Sequence, residues 1–188
     1  MVRTSSSVST ARRAKAARAG RTDIFMSIKP EHINNIATCA KNHEYRRYIL
    51  PSSVRRIWFY TTAPFSRVEY VARISRGKVP GEVPEDGGIG NADFNAGRKL
   101  SKYGYEILDL WKLKEPITLK QAISKGYMKG PPQKYCWVPR SLLEGCPLDR
   151  QDHLISTLDN RPVETADEPQ PPFESTERKK IFDYFTTA

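Results

Sequence analysis

Residues 41 to 64 read KNHEYRRYILPSSVRRIWFYTTAP, with five basic residues threaded through aromatic and aliphatic ones. The turn-forming run Pro51-Ser52-Ser53 divides the stretch into two strands, KNHEYRRYIL and VRRIWFYTTA. In the first, side-chain alternation puts Lys41, His43, Tyr45 and Arg47 on one face and Asn42, Glu44, Arg46 and Tyr48 on the other. Glu44 and Arg46 therefore share a face, where a carboxylate can hold a guanidinium fork ready for a phosphate or a base edge. A salt bridge sealing one end of a barrel explains the same pair without function. In the second strand Arg56, Trp58 and Tyr60 oppose Ile57, Phe59 and Thr61. If Ile57 and Phe59 pack inward, Trp58 and Tyr60 stand toward a cleft as a stacking platform; the alternative places both in the core.

Working outward, IFMSIK (24–29) is a short strand, and Pro30 opens a helix through EHINNIATCA, with Ile33, Ile36 and Ala37 at helical spacing. SRVEYVARIS is a third strand, alternating Val68, Tyr70, Ala72 and Ile74 against Arg67, Glu69, Val71 and Arg73, and these strands are expected to run antiparallel. VPGEVPEDGGIG reads as a loop and NADFNAGRKLSKYG as a helix ended by Gly104. YEILDLWKLKEP alternates again, and TLKQAIS is a helix capped by Thr118. GGIGN lacks the spacing of a phosphate loop and reads as a turn. The expected fold is α+β: a small, mostly antiparallel barrel with two or three short helices.

The chain has 188 residues, 38% of them hydrophobic, enough for one core. Its three cysteines, Cys39, Cys136 and Cys146, have neither disulfide-scaffold nor zinc-ligand spacing, so no metal or cofactor is expected. No run approaches the roughly 20 apolar residues of a membrane span, so the expectation is a soluble, intracellular, monomeric protein, nuclear or cytoplasmic. The formal charge is +10, with six basic residues and no acid in residues 1–22. That arm lacks the apolar side chains to offset the entropy of ordering, and it suits phosphate contact or nuclear targeting. The folded domain is expected over 23–147, followed by an acidic, proline-rich disordered tail from 148 to 188. A basic body makes nucleic acid the leading partner class.

The order SIKPEH, KNHEYRRY, RIWFYTTAPFSRVEYVARI, GIGNADF, YEILDLWKLKEPITLKQAI and PPQKY resembles the ASCH group of the PUA-like superfamily over about residues 24–143. The group's signature G-x-K-x-x-E-x-R is met by Lys41, Glu44 and Arg46, with Cys39 in the glycine place, so the turn before the strand is expected to differ. The resemblance implies a pseudobarrel with a cleft, in a superfamily that binds RNA or modified bases. On it, Lys29, Lys41, Glu44, Arg46, Arg47, Trp58, Tyr60, Gln133, Tyr135 and Trp137 are the candidate nucleic-acid contacts. Some small ASCH proteins are nucleoside amidohydrolases using the signature Lys and a Thr three residues on; Lys41 matches, but Glu44 stands in the Thr place, so binding is favoured over catalysis. A protein-interaction adaptor is the third reading. Near the end, Ile181, Tyr184 and Phe185 resemble the PCNA-interacting peptide, with Arg178 in the Gln place, which implies tethering to a sliding clamp.

Overall fold

The computed structural model describes residues 21–157; most of the expected basic arm, and the motif at 178–185, lie outside the described residues. The strands are β1 (Asp23–Ile28), β2 (His43–Arg46), β3 (Arg56–Thr61), β4 (Arg67–Ile74), β5 (Tyr103–Thr118), β6 (Cys136–Trp137) and β7 (Asp152–Ser156). The helices are α1 (Pro30–Ala37), α2 (Asn91–Asn95), α3 (Leu119–Ser124) and α4 (Arg140–Gly145), with one 3₁₀ turn at Leu148–Arg150. Among the described residues that is four α-helices rather than two or three.

One curled sheet carries the fold in the order β2-β5-β4-β3-β1-β6, and β7 pairs with β5 as well. The sheet is antiparallel except where β1 runs parallel to β3, Ile24 opposite Ile57 and Met26 opposite Phe59. The two strands of the 41–64 stretch do not pair: β2 joins β5, and β3 lies between β4 and β1. A residue-level pattern identifies a strand but not its neighbour, because pairing is decided by contacts distant in sequence.

The sheet is covered on both sides. On one face Ile33 and Ile36 of α1 pack on Ile24, Met26, Ile57, Phe59 and Leu110. On the other, Ala122 of α3 and Leu142 of α4 pack with Phe25, Trp58, Tyr60, Val71 and Leu113. Trp58 and Tyr60 are thus only 1% and 3% exposed and belong to the second core, not to a cleft. A central strand buried on both faces reads as a continuous apolar run, which IWFY (57–60) within it is, and period-2 reasoning does not apply to it.

Three boundaries also move. The helix expected to reach Gly104 stops after Asn95, where Gly97 takes φ 69° and its N–H bonds to the Phe94 carbonyl. Gly104 instead lies inside β5, where a side chain would meet the Tyr45 ring at 3.0 Å. Residues 148–157, expected in the tail, form the 3₁₀ turn and β7, so the fold extends past 147. Thr118 caps α3 as its sequence implies: its hydroxyl accepts from the Gln121 N–H, and the Gln121 side chain reciprocates.

Candidate nucleic-acid interface

Three pieces of chain meet at the start of β2. α1 ends at Ala37 and the chain reverses through Cys39, which has φ 61°. The turn therefore has a left-handed backbone of the kind glycine favours, with cysteine in the place. This reversal brings Lys41 beside β2 rather than onto the face opposite Glu44, since alternation begins only at His43. Lys41 Nζ donates to Glu44 Oε2 at 2.5 Å, and Arg46 Nη2 reaches Glu44 Oε1 at 2.9 Å. Arg46 Nη2 also donates to the Ser27 carbonyl of β1 at 2.8 Å, while its buried Nε has no partner among the described residues.

Lys41 and Glu44 are 6% and 3% exposed. Taking two such charges from water costs several kcal/mol per ion, so the triad is tolerated only because each member is paired. It forms the floor of an open cavity of about 360 Å³. Lys29 at the N-cap of α1, His32, and Lys99 stand around it, so four cations face one carboxylate. Burial, and next the charge of Lys41, hold the His32 imidazole below its ordinary range, which keeps it neutral. Ile28 and Ile89 supply apolar wall. The cavity is within the size range of small-ligand sites and too polar to close as a core.

The wall carrying Ile89 is pinned by a polar hub. Asn91, 1% exposed, accepts from Tyr45 Oη at 2.6 Å and donates to Asn42 Oδ1, the Pro84 carbonyl and Asp86 Oδ1. The Ile89 N–H bonds to the Ala40 carbonyl at 2.9 Å. The glycine-rich loop is thus a turn whose work is to build the cavity side. Two ammonium groups approach the Tyr45 ring, Lys99 Nζ at 5.0 Å and Lys41 Nζ at 5.9 Å from its centroid. Burial, then Asp86 and Glu44, raise its hydroxyl pKa.

Of the ten sequence-derived candidates, Lys29, Lys41, Glu44 and Arg46 line this cavity. Tyr135 and Trp137 stand one step outside: Ser27 Oγ donates to the Pro132 carbonyl at 2.6 Å, which anchors their segment beside the floor. Tyr135 packs near Tyr48 and Trp137 at 6.3 and 6.1 Å between ring centroids, and Lys134 Nζ sits 4.4 Å from the Tyr48 ring. Gln133 and Arg47 are exposed at the periphery, and Trp58 and Tyr60 are in the opposite core. His32, Lys99, Ser27, Thr62 and Ser101 also line the cavity, and the sequence patterns do not find them. The order of the chain carries no signal that they converge, except that Lys99 follows the loop already placed there by its glycines. No group of three His, Cys, Asp or Glu side chains close enough to hold a metal occurs among the described residues.

No family model and no curated protein matches the sequence. Solved structures do. The ASCH protein of Zymomonas mobilis superposes with a TM-score of 0.54 at 20% identity, covering 70% of this chain and 97% of that one. A serine-to-alanine mutant of that protein gives 0.50 at 24% identity, covering 67% and 94%, and a tyrosine-to-phenylalanine mutant 0.50 at 19%, covering 70% and 100%. Likeness at such identities is likeness of architecture: the chain shares the α+β barrel fold of that ASCH protein.

Proposed function

We propose that the chain is a nucleic-acid-binding module, RNA or DNA, whose cavity takes one nucleotide turned out of its strand. The observation that carries the reading is the buried Lys41–Glu44 pair with half-buried Arg46 beneath a rim of further cations. Its donors and acceptor are fixed before any ligand arrives, as recognition of a base edge requires, while Lys29 and Lys99 suit the flanking phosphates. Tyr48 and Tyr135 offer ring faces to a neighbouring base. The basic arm of residues 1–22 adds long-range attraction. Titration with nucleoside monophosphates and short RNA and DNA homopolymers tests this. Arg46→Lys keeps the charge but loses the fork, and affinity is expected to fall at least about tenfold with the domain still folded. Unchanged affinity, or unfolding with no separate binding defect, leaves the triad a structural bridge.

The clamp tether is proposed on a separate observation, the i, i+3, i+4 spacing of Ile181, Tyr184 and Phe185 after Arg178. A peptide of residues 174–188 is expected to bind a sliding clamp with micromolar affinity and to lose it on Tyr184→Ala with Phe185→Ala. No heat of binding for the unsubstituted peptide refutes the tether.

A further inference from the structure

A second, larger cavity of about 870 Å³ lies beyond the segment that leaves β2. Arg55, Arg73 and Arg76 line it together with Ile49, Leu50 and Tyr105, and no lining residue is acidic. Arg55 Nη1 is held by the Ser52 and Val54 carbonyls, at 2.5 and 3.1 Å, which orients the guanidinium without neutralising it. Arg76 meets Glu82 at only 3.5 Å with 77% of its side chain exposed, a pair that an incoming anion displaces at little cost. Arg73 gives Nε to Asp109 and has no partner for its buried Nη2 among the described residues. Ile49, 61% exposed, adds uncovered apolar surface.

One stretch of backbone contributes lining residues to both cavities. Arg46 lines the first, and the chain passes exposed Arg47 to Leu50, whose N–H bonds to Tyr105 Oη at 2.7 Å in the wall of the second. Nine residue steps separate Arg46 from Arg55, a reach of at most about 30 Å. No Asp or Glu occurs from residue 45 to 68, which contains five arginines. Guanidinium forks beside apolar wall match a backbone of phosphodiesters with unpaired bases, and a base seated in the first cavity has already left its stack.

We infer that the Arg55–Arg73–Arg76 cavity is a second nucleic-acid site, holding phosphates of the single-stranded segment that continues from the nucleotide in the first cavity. This rests on the proposed function and narrows its ligand from a nucleotide to a single strand. The test titrates the full chain and an Arg55→Gln/Arg76→Gln variant, both side chains exposed, with a nucleoside monophosphate and with a homopolymeric single strand of about ten residues. The variant is expected to bind the single strand at least about tenfold more weakly. The slope of log affinity against log salt falls by about 1.4, at about 0.7 for each phosphate no longer neutralised, and monophosphate binding is unchanged. A variant with unchanged oligonucleotide affinity and slope overturns the second site while the first stands. Oligonucleotide binding that depends on Arg55 and Arg76 but not on Arg46 retains the second site and removes the nucleotide cavity from the reading. A wild-type chain that binds no oligonucleotide overturns both.

Discussion

Cys39 holds a backbone conformation that glycine adopts more readily. Its φ of 61° is the left-handed conformation at the end of α1, its N–H bonds to the Ile36 carbonyl at 3.0 Å, and its side chain is exposed. That conformation costs a non-glycine residue about 1–2 kcal/mol, against about 0.5–1 kcal/mol of extra chain entropy that glycine loses on folding. Cys39→Gly is therefore expected to raise stability by about 0.5–1 kcal/mol, the reverse of the usual effect of glycine, read as a higher denaturant midpoint with unchanged slope. A lowered midpoint shows that the cysteine side chain contributes something its exposure conceals. The residues Lys41, Glu44 and Arg46 were legible from the signature because their spacing is local. Lys41's true side was not, since the left-handed turn breaks the alternation just before the strand begins.

At the scale of the element, β2 is a four-residue strand with β5 as its sole strand partner among the described residues, too short to hold itself by ladder bonds. Side chains hold it instead. His43, 1% exposed, faces Asn42 Oδ1 from Nδ1 at 2.8 Å and Lys78 Nζ from Nε2 at 3.4 Å. A carbonyl oxygen on one side and an ammonium on the other fix the neutral, Nδ1-protonated form. Burial, then the charge of Lys78, push its pKa down to about 4; Glu106 and Asp86 oppose the shift and Lys41 adds to it. The unfolded imidazole takes its proton near 6.5, so between those values the unfolded state binds more protons and stability decreases as the pH is lowered. Above pH 6.5 the contribution is complete; on descent toward pH 4 a loss of up to about 3 kcal/mol is expected. Denaturant titrations of wild type and His43→Gln across this range should show a markedly smaller loss in the variant. Equal losses place the acid sensitivity elsewhere.

For the whole molecule, the class and the succession of segments were readable in the sequence, because turn residues, the proline at α1 and the Thr118 cap are local signals. Three features were not readable for one shared reason: each is settled by a surface distant in the chain. β3 is buried on both faces only because α1 covers one side and α3 and α4 the other. β7 is ordered because β5, sixteen residues long, runs far enough to offer it an edge; Trp111 stacks on His153 at 4.8 Å, and Asp109 accepts from His153 Nε2 at 3.0 Å. The composition of residues 151–156 carries no trace of that partner. The cavity was half readable: Lys29 and the local motif of its floor were found, while His32 and Lys99 reach it from α1 and from beyond the glycine loop.

The carboxylate at the start of β1 has a wider consequence for how this sheet is specified. Asp23 Oδ1 accepts from Arg56 Nε at 2.7 Å and Trp58 Nε1 at 3.0 Å, and Oδ2 accepts from Arg56 Nη2 at 3.0 Å. Its donors span two successive same-side positions of the neighbouring strand, so they fit only one alignment of the parallel pair. A slip by one residue would leave a buried charge unanswered and would also exchange Ile57 and Phe59 with Trp58 and Tyr60 between two cores of different shape. Large apolar side chains on both faces make β3 sticky but nearly indifferent to sliding. Asp23 is the ratchet tooth that gives a greasy strand a single place to stop.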